Sequence, residues 1–306
     1  INPDIAHLQH EFGLFPNPKT FNSMLDLISN RFKLVVTMHT ICPLREPKSI
    51  KYSAFEVTKH ILSKACKVIV HSGESALKLI KEYGGDENKV VVIPHYMPKP
   101  SVIPQHKAKE LLNLEDSLIL LTFGFITPRK GIDKVVSVLP DILRHHPNTV
   151  YIVAGGIHPF SKERDEAYIS NIIQLSIEKG VRDKVKLLIG YHSDEVISKL
   201  FSAADVVVLP YNELFSVSGV LKIASAYCKP VIASRVGGFK EELRDGENAM
   251  LFDPFNLCDL KEKLLTLLSS PKLRERLATN LYREIGKVAS LEVVSSKLIS
   301  LYKALL

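Results

Sequence analysis

Short runs of β-branched and aliphatic residues alternate with stretches of helical periodicity along almost all 306 residues, and no other pattern constrains the fold as strongly. Parallel strands can be joined only by crossovers, usually helices, so repeated strand–helix alternation specifies a parallel sheet covered by helices. In the first third the strand-like runs are 5–9, 33–38, 67–71 and 89–93. Helical patterns fill 53–67, where Ala54, Phe55, Thr58, Ile61, Leu62, Ala65 and Cys66 form one face, and 74–83, with Ser72 as N-cap and Gly84 as stop. Residues 95–106 (HYMPKPSVIPQH) hold three prolines and read as a connection. A second alternation follows, with strands at 118–123, 149–154, 184–189, 206–209, 230–234 and 249–252. Its helices fit 132–144, 166–179, 193–203, 219–227 and 260–269, and the tail, 277–306, reads as helical throughout. The expected fold class is α/β, with two doubly wound Rossmann-like domains. The expected boundaries are 1–95, a linker at 96–106, a second domain at 107–285, and a C-terminal helix at 286–306 packing back toward the N-terminal domain.

A hydrophobic content of 46% with 24% charged residues excludes a disordered chain. The longest apolar candidate, 117–126, is too short to span a bilayer. Cys42, Cys66, Cys228 and Cys258 form no C-x-x-C pair, which argues against a zinc site and for a reducing, cytoplasmic setting in which each is a small buried hydrophobe. A formal net charge of +7 favours anionic ligands or anionic lipid surfaces. Nucleic acid is not an expected partner, because no Lys/Arg-dense segment and no reading module is present. The 53–67 helix, with Lys51, Lys59, Lys64 and Lys67 beside its apolar stripe, invites two readings: a core-facing helix with a solvated basic side, or a peripheral membrane contact.

In doubly wound sheets ligands sit at the carboxyl ends of strands, so the loops there carry the information. After 118–123 comes Gly124-Phe125-Ile126-Thr127-Pro128-Arg129-Lys130-Gly131, two cations between glycines just before a helix. Such a loop can bring Arg129 and Lys130 to a diphosphate, or it is a solvated basic turn. After 206–209, the small residues Ser218-Gly219-Val220 open a helix whose unpaired amides can hold an anion; Ser218 serves equally as an ordinary N-cap. After 230–234, Gly237 and Gly238 permit close backbone approach to a ligand, or a plain tight turn.

Taken in this order and spacing, the segments FGFITPRKGID, the 153–156 turn, KVKLLIGYHSDEVISKLFSAADVVVLPY, SGVLKIASAYCKPVIASRVGG and LRDGENAMLFDP resemble the donor domain of glycosyltransferase family four, the retaining enzymes of GT-B fold. The earlier segments HLQHEFGLF, VVTMHT and KVIVHS…VVVIPH resemble the acceptor-side domain of one subgroup. The resemblance implies a nucleotide-sugar donor and a sugar, glycan or lipid-linked acceptor. It also implies donor-binding roles for Gly124, Arg129, Lys130, Ser218, Gly219, Val220, Gly237 and Gly238. His39 then matches a histidine near the reacting sugar, with His10 as its companion. No metal or other cofactor is implied, since family members of this kind need no Asp-x-Asp motif.

The sequence also departs from the family pattern. Two glutamates eight residues apart are common, yet the aligned positions hold Phe215 and Ile223. Glu213, two residues early, is the candidate to replace the first. Phe125 stands where an arginine is expected, so Arg129 is the candidate substitute. The implied reaction is hexosyl transfer to a hydroxyl with retention; the alternatives are a non-catalytic nucleotide-sugar-binding protein and a nucleotide-sugar epimerase. An epimerase would need acid/base carboxylates in the first domain, where only Glu11 is suitably placed. If 5–9 corresponds to the family's fourth acceptor-domain strand, about 80 to 100 residues of βα units are expected before Ile1, and the N-terminal domain is incomplete here.

Overall fold

A computed structural model describes residues 3–15, 17–42, 48–214 and 217–306, with side chains from 54 onward in the third segment. Phe215 and the side chain of Lys51 therefore lie outside the described residues. The chain divides into two compact units, Ile1–Tyr96 with Phe215–Val217 and Val288–Leu306, and Met97–Leu214 with Ser218–Lys287.

The first unit carries a parallel sheet in the order β1 (Ile5–His10), β2 (Lys33–Met38), β3 (Lys67–Val70), β4 (Val90–Val92). Strand β1 pairs with β2 at one edge of this sheet. Three helices connect the strands: α1 (Pro18–Ser29), α2 (Lys48–Lys64) and α3 (Gly73–Lys81). Asn17 starts α1 by accepting from the amides of Lys19 and Thr20, with Pro18 at the first helical position. This helix was not among the sequence expectations. The Ser72 side chain accepts from the Ser75 amide to start α3.

Helix α2 ends at Lys64, short of the expected 67, because Lys67 already pairs in β3. Its Val57, Ile61 and Leu62, with Ala65 just beyond its end, enter a core shared with Phe21 and Leu25 of α1 and Leu34, Val36 and Val68 of the sheet. Three of its candidate membrane-facing lysines have partners within the protein. Lys64 pairs with Asp26 at 2.7 Å, while Lys59 and Lys67 donate to the carbonyls of Tyr83 and Asn88. The apolar stripe is thus a core face.

The second unit follows a stretch without regular structure and begins with α4 (Gln105–Glu110). Its strands are β5 (Leu118–Phe123), β6 (Thr149–Gly155), β7 (Val185–Ile189), β8 (Val206–Leu209), β9 (Val231–Ser234) and β10 (Met250–Phe252). Their order is β10-β9-β8-β5-β6-β7, all parallel. Helices α5 (Ile132–His145), α6 (Lys162–Glu178), α7 (Asp194–Ala203), α8 (Gly219–Ala226), α9 (Phe239–Glu242), α10 (Leu257–Ser269) and α11 (Pro271–Ala289) accompany them. Strands β5, β6 and β8 are buried nearly throughout, which explains their unbroken apolar runs.

The tail is two helices, not one. Ser290 takes an extended conformation, and its hydroxyl accepts from the Val293 amide to start α12 (Leu291–Leu305). Val294 of α12 shares a small core with Val35 and Ile69 of the first sheet and Ile93 just past β4, flanked by Leu298, Leu301 and Leu305.

The cysteine expectation fails. Cys66, Cys228 and Cys258 are exposed and Cys42 is partly buried. Cys66 falls in the bend before β3, Cys258 in the solvent-facing first turn of α10, and Cys228 in the turn after α8 at φ 49°. Each is at an element boundary, where the chain comes to the surface.

Candidate active site

Strand β5 lies between β6 and β8, so strand order reverses beside it, and in doubly wound sheets the carboxyl ends of strands at such a point are where ligands bind. Three loops meet there and hold one another. Gly124, at φ 106°, takes a backbone conformation that favours glycine, and a Cβ there would be in ordinary contact, 3.6 Å, with both the Lys130 amine and the Val220 side chain. Gly131, at φ 63°, approaches the Pro210 carbonyl so closely that a Cβ would fall 2.0 Å from its oxygen. Gly237, at φ 41°, does the same to the Leu214 carbonyl at 1.9 Å. Asn212 completes the joint by donating its amide to Arg129 O and its side chain to Pro128 O, both at 2.8 Å.

Lys130 is not on a solvated turn, because only 8% of it is exposed. Its ammonium lies 3.9 Å from the centre of the Tyr211 ring and 2.5 Å from that residue's hydroxyl. Burial pushes its pKa below the usual lysine value, with Tyr211 opposing that trend and Arg129 adding to it. Arg129 itself is half-buried, and Glu213 is exposed. At the start of α8, Ser218 is buried and its hydroxyl accepts from the Leu221 amide, so it is an N-cap in geometry. Gly219 and Val220 form the first turn, whose amides the helix cannot satisfy internally. Gly238 is buried at the head of α9, followed by Phe239, whose ring lies 5.2 Å from Tyr211.

The histidines of the first unit fall into two groups. His10 is 1% exposed, with Phe12, Phe15 and Phe21 around its ring at 4.8, 5.8 and 4.9 Å. Burial, with His39 nearby, lowers its pKa to about 4, so it is neutral at ordinary pH. His39 stands just past β2, its amide bonded to the His10 carbonyl at 3.0 Å. Its Nε2 is 2.9 Å from Gln9 Oε1, and its Nδ1 is 3.1 Å from Nε2 of His71. Burial and then His95 lower its pKa, while Glu11 raises it.

Residues 104–284, more than half of the chain, match the family described as Glycosyl transferases group 1. The chain belongs to that family. It is 27% identical over 271 residues to the D-inositol 3-phosphate glycosyltransferase of Nocardia farcinica, covering 85% of this chain and 58% of that protein. The chain thus spans about three fifths of this curated relative. Among solved structures, Anabaena HepE in complex with UDP-glucose superimposes with a TM-score of 0.82 at 19% identity, covering 98% of this chain and 79% of that one. Sucrose-phosphate synthase from Thermosynechococcus elongatus gives 0.81 at 23% identity, covering 99% and 73%. The four- and six-stranded parallel sheets are those of the GT-B fold.

For this group 1 chain the structure brings Gly124, Arg129, Lys130, Gly219, Val220 and Gly237 to one end of one sheet, and leaves Glu213 pointing to solvent beside them. Sequence reasoning missed Tyr211, the direct partner of Lys130, and marked the 153–156 turn without singling out Gly155, where a Cβ would meet the Gly124 carbonyl at 2.0 Å. Two signals were available: the Pro-Tyr-Asn loop directly follows a buried strand, and Gly155-Gly156 ends the neighbouring one. Phe125, where the family pattern favours arginine, packs its ring against His158 at 4.9 Å.

Among the described residues no group of three or more His, Cys, Asp or Glu side chains could hold a metal ion, and no helix is long and apolar enough to cross a membrane.

Proposed function

We propose that the protein transfers a hexose from a nucleotide-diphosphate donor to a hydroxyl acceptor, with retention at the anomeric carbon and without a metal. The observation that carries this reading is the burial of Lys130 in the loop after β5, held by Tyr211, with Val220 of the first turn of α8 beside the same Gly124. Departure of a nucleoside diphosphate accumulates negative charge on its phosphates. A preorganised ammonium, a guanidinium and helix-start amides stabilise that charge more than the ground state. Lys130, Arg129 and the amides of Gly219 and Val220 take those roles, and Gly237 and Gly238 allow the backbone of their loop to approach the donor. Glu213, on the loop that packs against Arg129, is the side chain offered to the donor sugar; His39 is proposed separately, on the family resemblance, as a residue of the first unit that touches reacting sugar.

Because HepE binds UDP-glucose, UDP-sugars are the first donors to try. The acceptor is a hydroxyl compound. The phosphorylated cyclitol named for the Nocardia relative is one candidate. Glu11 is poorly suited to epimerase chemistry, since its two carboxylate oxygens accept from the Phe12 amide at 3.0 Å and the Thr40 hydroxyl at 2.7 Å.

The test is a thermal-shift screen of UDP-, GDP- and ADP-sugars, followed by product analysis. A native-state ligand raises the melting temperature by mass action. Binding by the wild type with loss in Lys130→Ala and Gly219→Val supports the reading. Equal binding in all three, or binding without transfer to any acceptor, contradicts it.

A further inference from the structure

The side chains of His7, Gln9, His39 and His71 form a chain of contacts that runs from the middle of β1 to the carboxyl ends of β2 and β3. Tyr302 of α12 closes one end, its hydroxyl 2.5 Å from His7 Nδ1. His7 Nε2 lies 2.7 Å from the Thr37 hydroxyl and 3.2 Å from Gln9 Nε2. Gln9 Oε1 meets His39 Nε2, His39 Nδ1 meets His71 Nε2, and His71 Nδ1 lies 2.9 Å from the backbone carbonyl of Ile93.

Proton bookkeeping along this chain has one fixed end. A backbone carbonyl only accepts, so His71 Nδ1 must carry a proton. In neutral His71 the other nitrogen, Nε2, is then an acceptor. The atom facing it, His39 Nδ1, must therefore donate. Neutral His39 is left with its lone pair on Nε2, opposite the Gln9 amide. That amide can rotate: it offers its oxygen when His39 Nε2 is protonated and its NH₂ when it is not. His71 cannot adjust in this way, because its far side is tied to the main chain at Ile93.

We infer that His71 is a positioning residue that holds His39 in the Nδ1–H tautomer, so that Nε2, which faces the rotatable Gln9 amide, is the nitrogen that can exchange a proton or hydrogen bond with bound sugar. The role toward sugar rests on the transferase reading above; the tautomer itself does not. It is the arrangement in which a second group fixes which imidazole nitrogen is reactive. The tilted rings of His39 and His71, with centroids 4.9 Å apart, fit a side-by-side hydrogen bond and exclude stacking as the reason for their contact. Other titratable groups facing His39 are His95, with rings 6.4 Å apart, and Glu11, His7 and His10.

The test is nitrogen-15 NMR of the histidine rings in the full chain at mildly alkaline pH, with His39 assigned by loss of its signals in His39→Gln. The expected wild-type pattern is a protonated Nδ1 and an unprotonated Nε2 on His39. His71→Phe should release His39 toward the Nε2–H form that free imidazole side chains prefer. His71→Gln, whose carbonyl can accept near the position of the lost nitrogen, should retain Nδ1–H. In transfer assays kcat should fall in His71→Phe and recover in His71→Gln, with donor KM little changed. A wild-type His39 carrying its proton on Nε2 overturns the inference, as does a tautomer unchanged in His71→Phe. The wild-type spectrum decides even if His71→Phe fails to fold. A chain that shows the expected tautomers but transfers no sugar overturns the transferase reading alone.

Discussion

Lys222, fully buried on α8, is ion-paired with Oε1 of Glu242 at the end of α9, while Oε2 of the same carboxylate is buried with no hydrogen-bond partner among the described residues. Removing one member of such a pair strands a charge, whereas replacing both with apolar groups removes two desolvation costs together. Lys222→Met is therefore expected to destabilise the protein by about 3 to 5 kcal/mol. The double variant Lys222→Met/Glu242→Leu should be near wild type or better. Denaturant midpoints of the two single variants and the double one measure this directly. A double variant as unstable as the sum of the singles would mean that the two residues do not interact, and would refute the pairing.

Lys130 should make donor affinity sensitive to alkaline pH. Burial lowers its pKa, and a bound diphosphate needs the charged form. Affinity is expected to fall as pH rises through that lowered value, before an ordinary lysine would titrate. Lys130→Met should bind donor roughly 10- to 150-fold more weakly, about 1.5 to 3 kcal/mol, and lose this pH dependence. Calorimetric titration across alkaline pH in both proteins is the check.

The unliganded fold should show the opposite trend from the same residue. A lysine with a lowered folded pKa leaves the unfolded chain binding more protons between that value and 10.5, so its contribution to stability grows as pH rises through this window.

His10 should contribute to acid lability. Its folded pKa is about 4 against 6.5 for the free side chain, so the unfolded chain binds more protons between these values. The linked stability is present above 6.5 and lost as pH falls toward 4, about 3 kcal/mol in all at roughly 1.36 kcal/mol per pH unit. His10→Leu should flatten the difference in denaturant midpoint between pH 7 and pH 4.5. An unchanged slope would place the acid sensitivity elsewhere.

Gly131→Ala and Gly180→Ala separate backbone strain from steric conflict. Both glycines have positive φ, 63° and 66°, so either alanine meets the left-handed penalty of roughly 1 kcal/mol or more. Around Gly180 nothing lies within 4 Å, while at Gly131 the new methyl would collide with the Pro210 carbonyl. Gly131→Ala should be the more destabilising and should also weaken donor binding; Gly180→Ala should leave binding intact. Equal losses in the two would refute the role given to loop packing.

Transfer activity, once an acceptor is found, should survive EDTA. Full loss on chelation, restored by Mg²⁺ or Mn²⁺, would contradict the metal-free reading.

The strands were legible because burial on both faces writes a continuous apolar run, and those at 33–38, 118–123 and 206–209 coincide with β2, β5 and β8. The loops at the strand ends were legible as residue types but not as contacts. That Lys130 is buried depends on Tyr211, 81 positions away, and no local pattern encodes that distance. Helix α1 was missed although Asn17-Pro18 is a strong start signal, since its amphipathic face is short and interrupted by polar residues. The break at Ser290 was hidden by helical periodicity on both sides of a single capping residue. The exposed cysteines show that a residue's usual environment yields to its position at an element boundary.

The packing of Val294 against Val35, Ile69 and Ile93 also has a consequence for biosynthesis. Val35 and Val294 are 259 positions apart in the chain. At about 5 to 20 residues per second, the ribosome needs on the order of 10 to 50 seconds to make the segment between them. Throughout that interval one face of the first sheet has no α12 to cover it, whereas the six-stranded unit is encoded without interruption apart from 215–217. The nascent chain should therefore complete its second-encoded unit first and its first-encoded unit last, with early apolar strands exposed to chaperones in between.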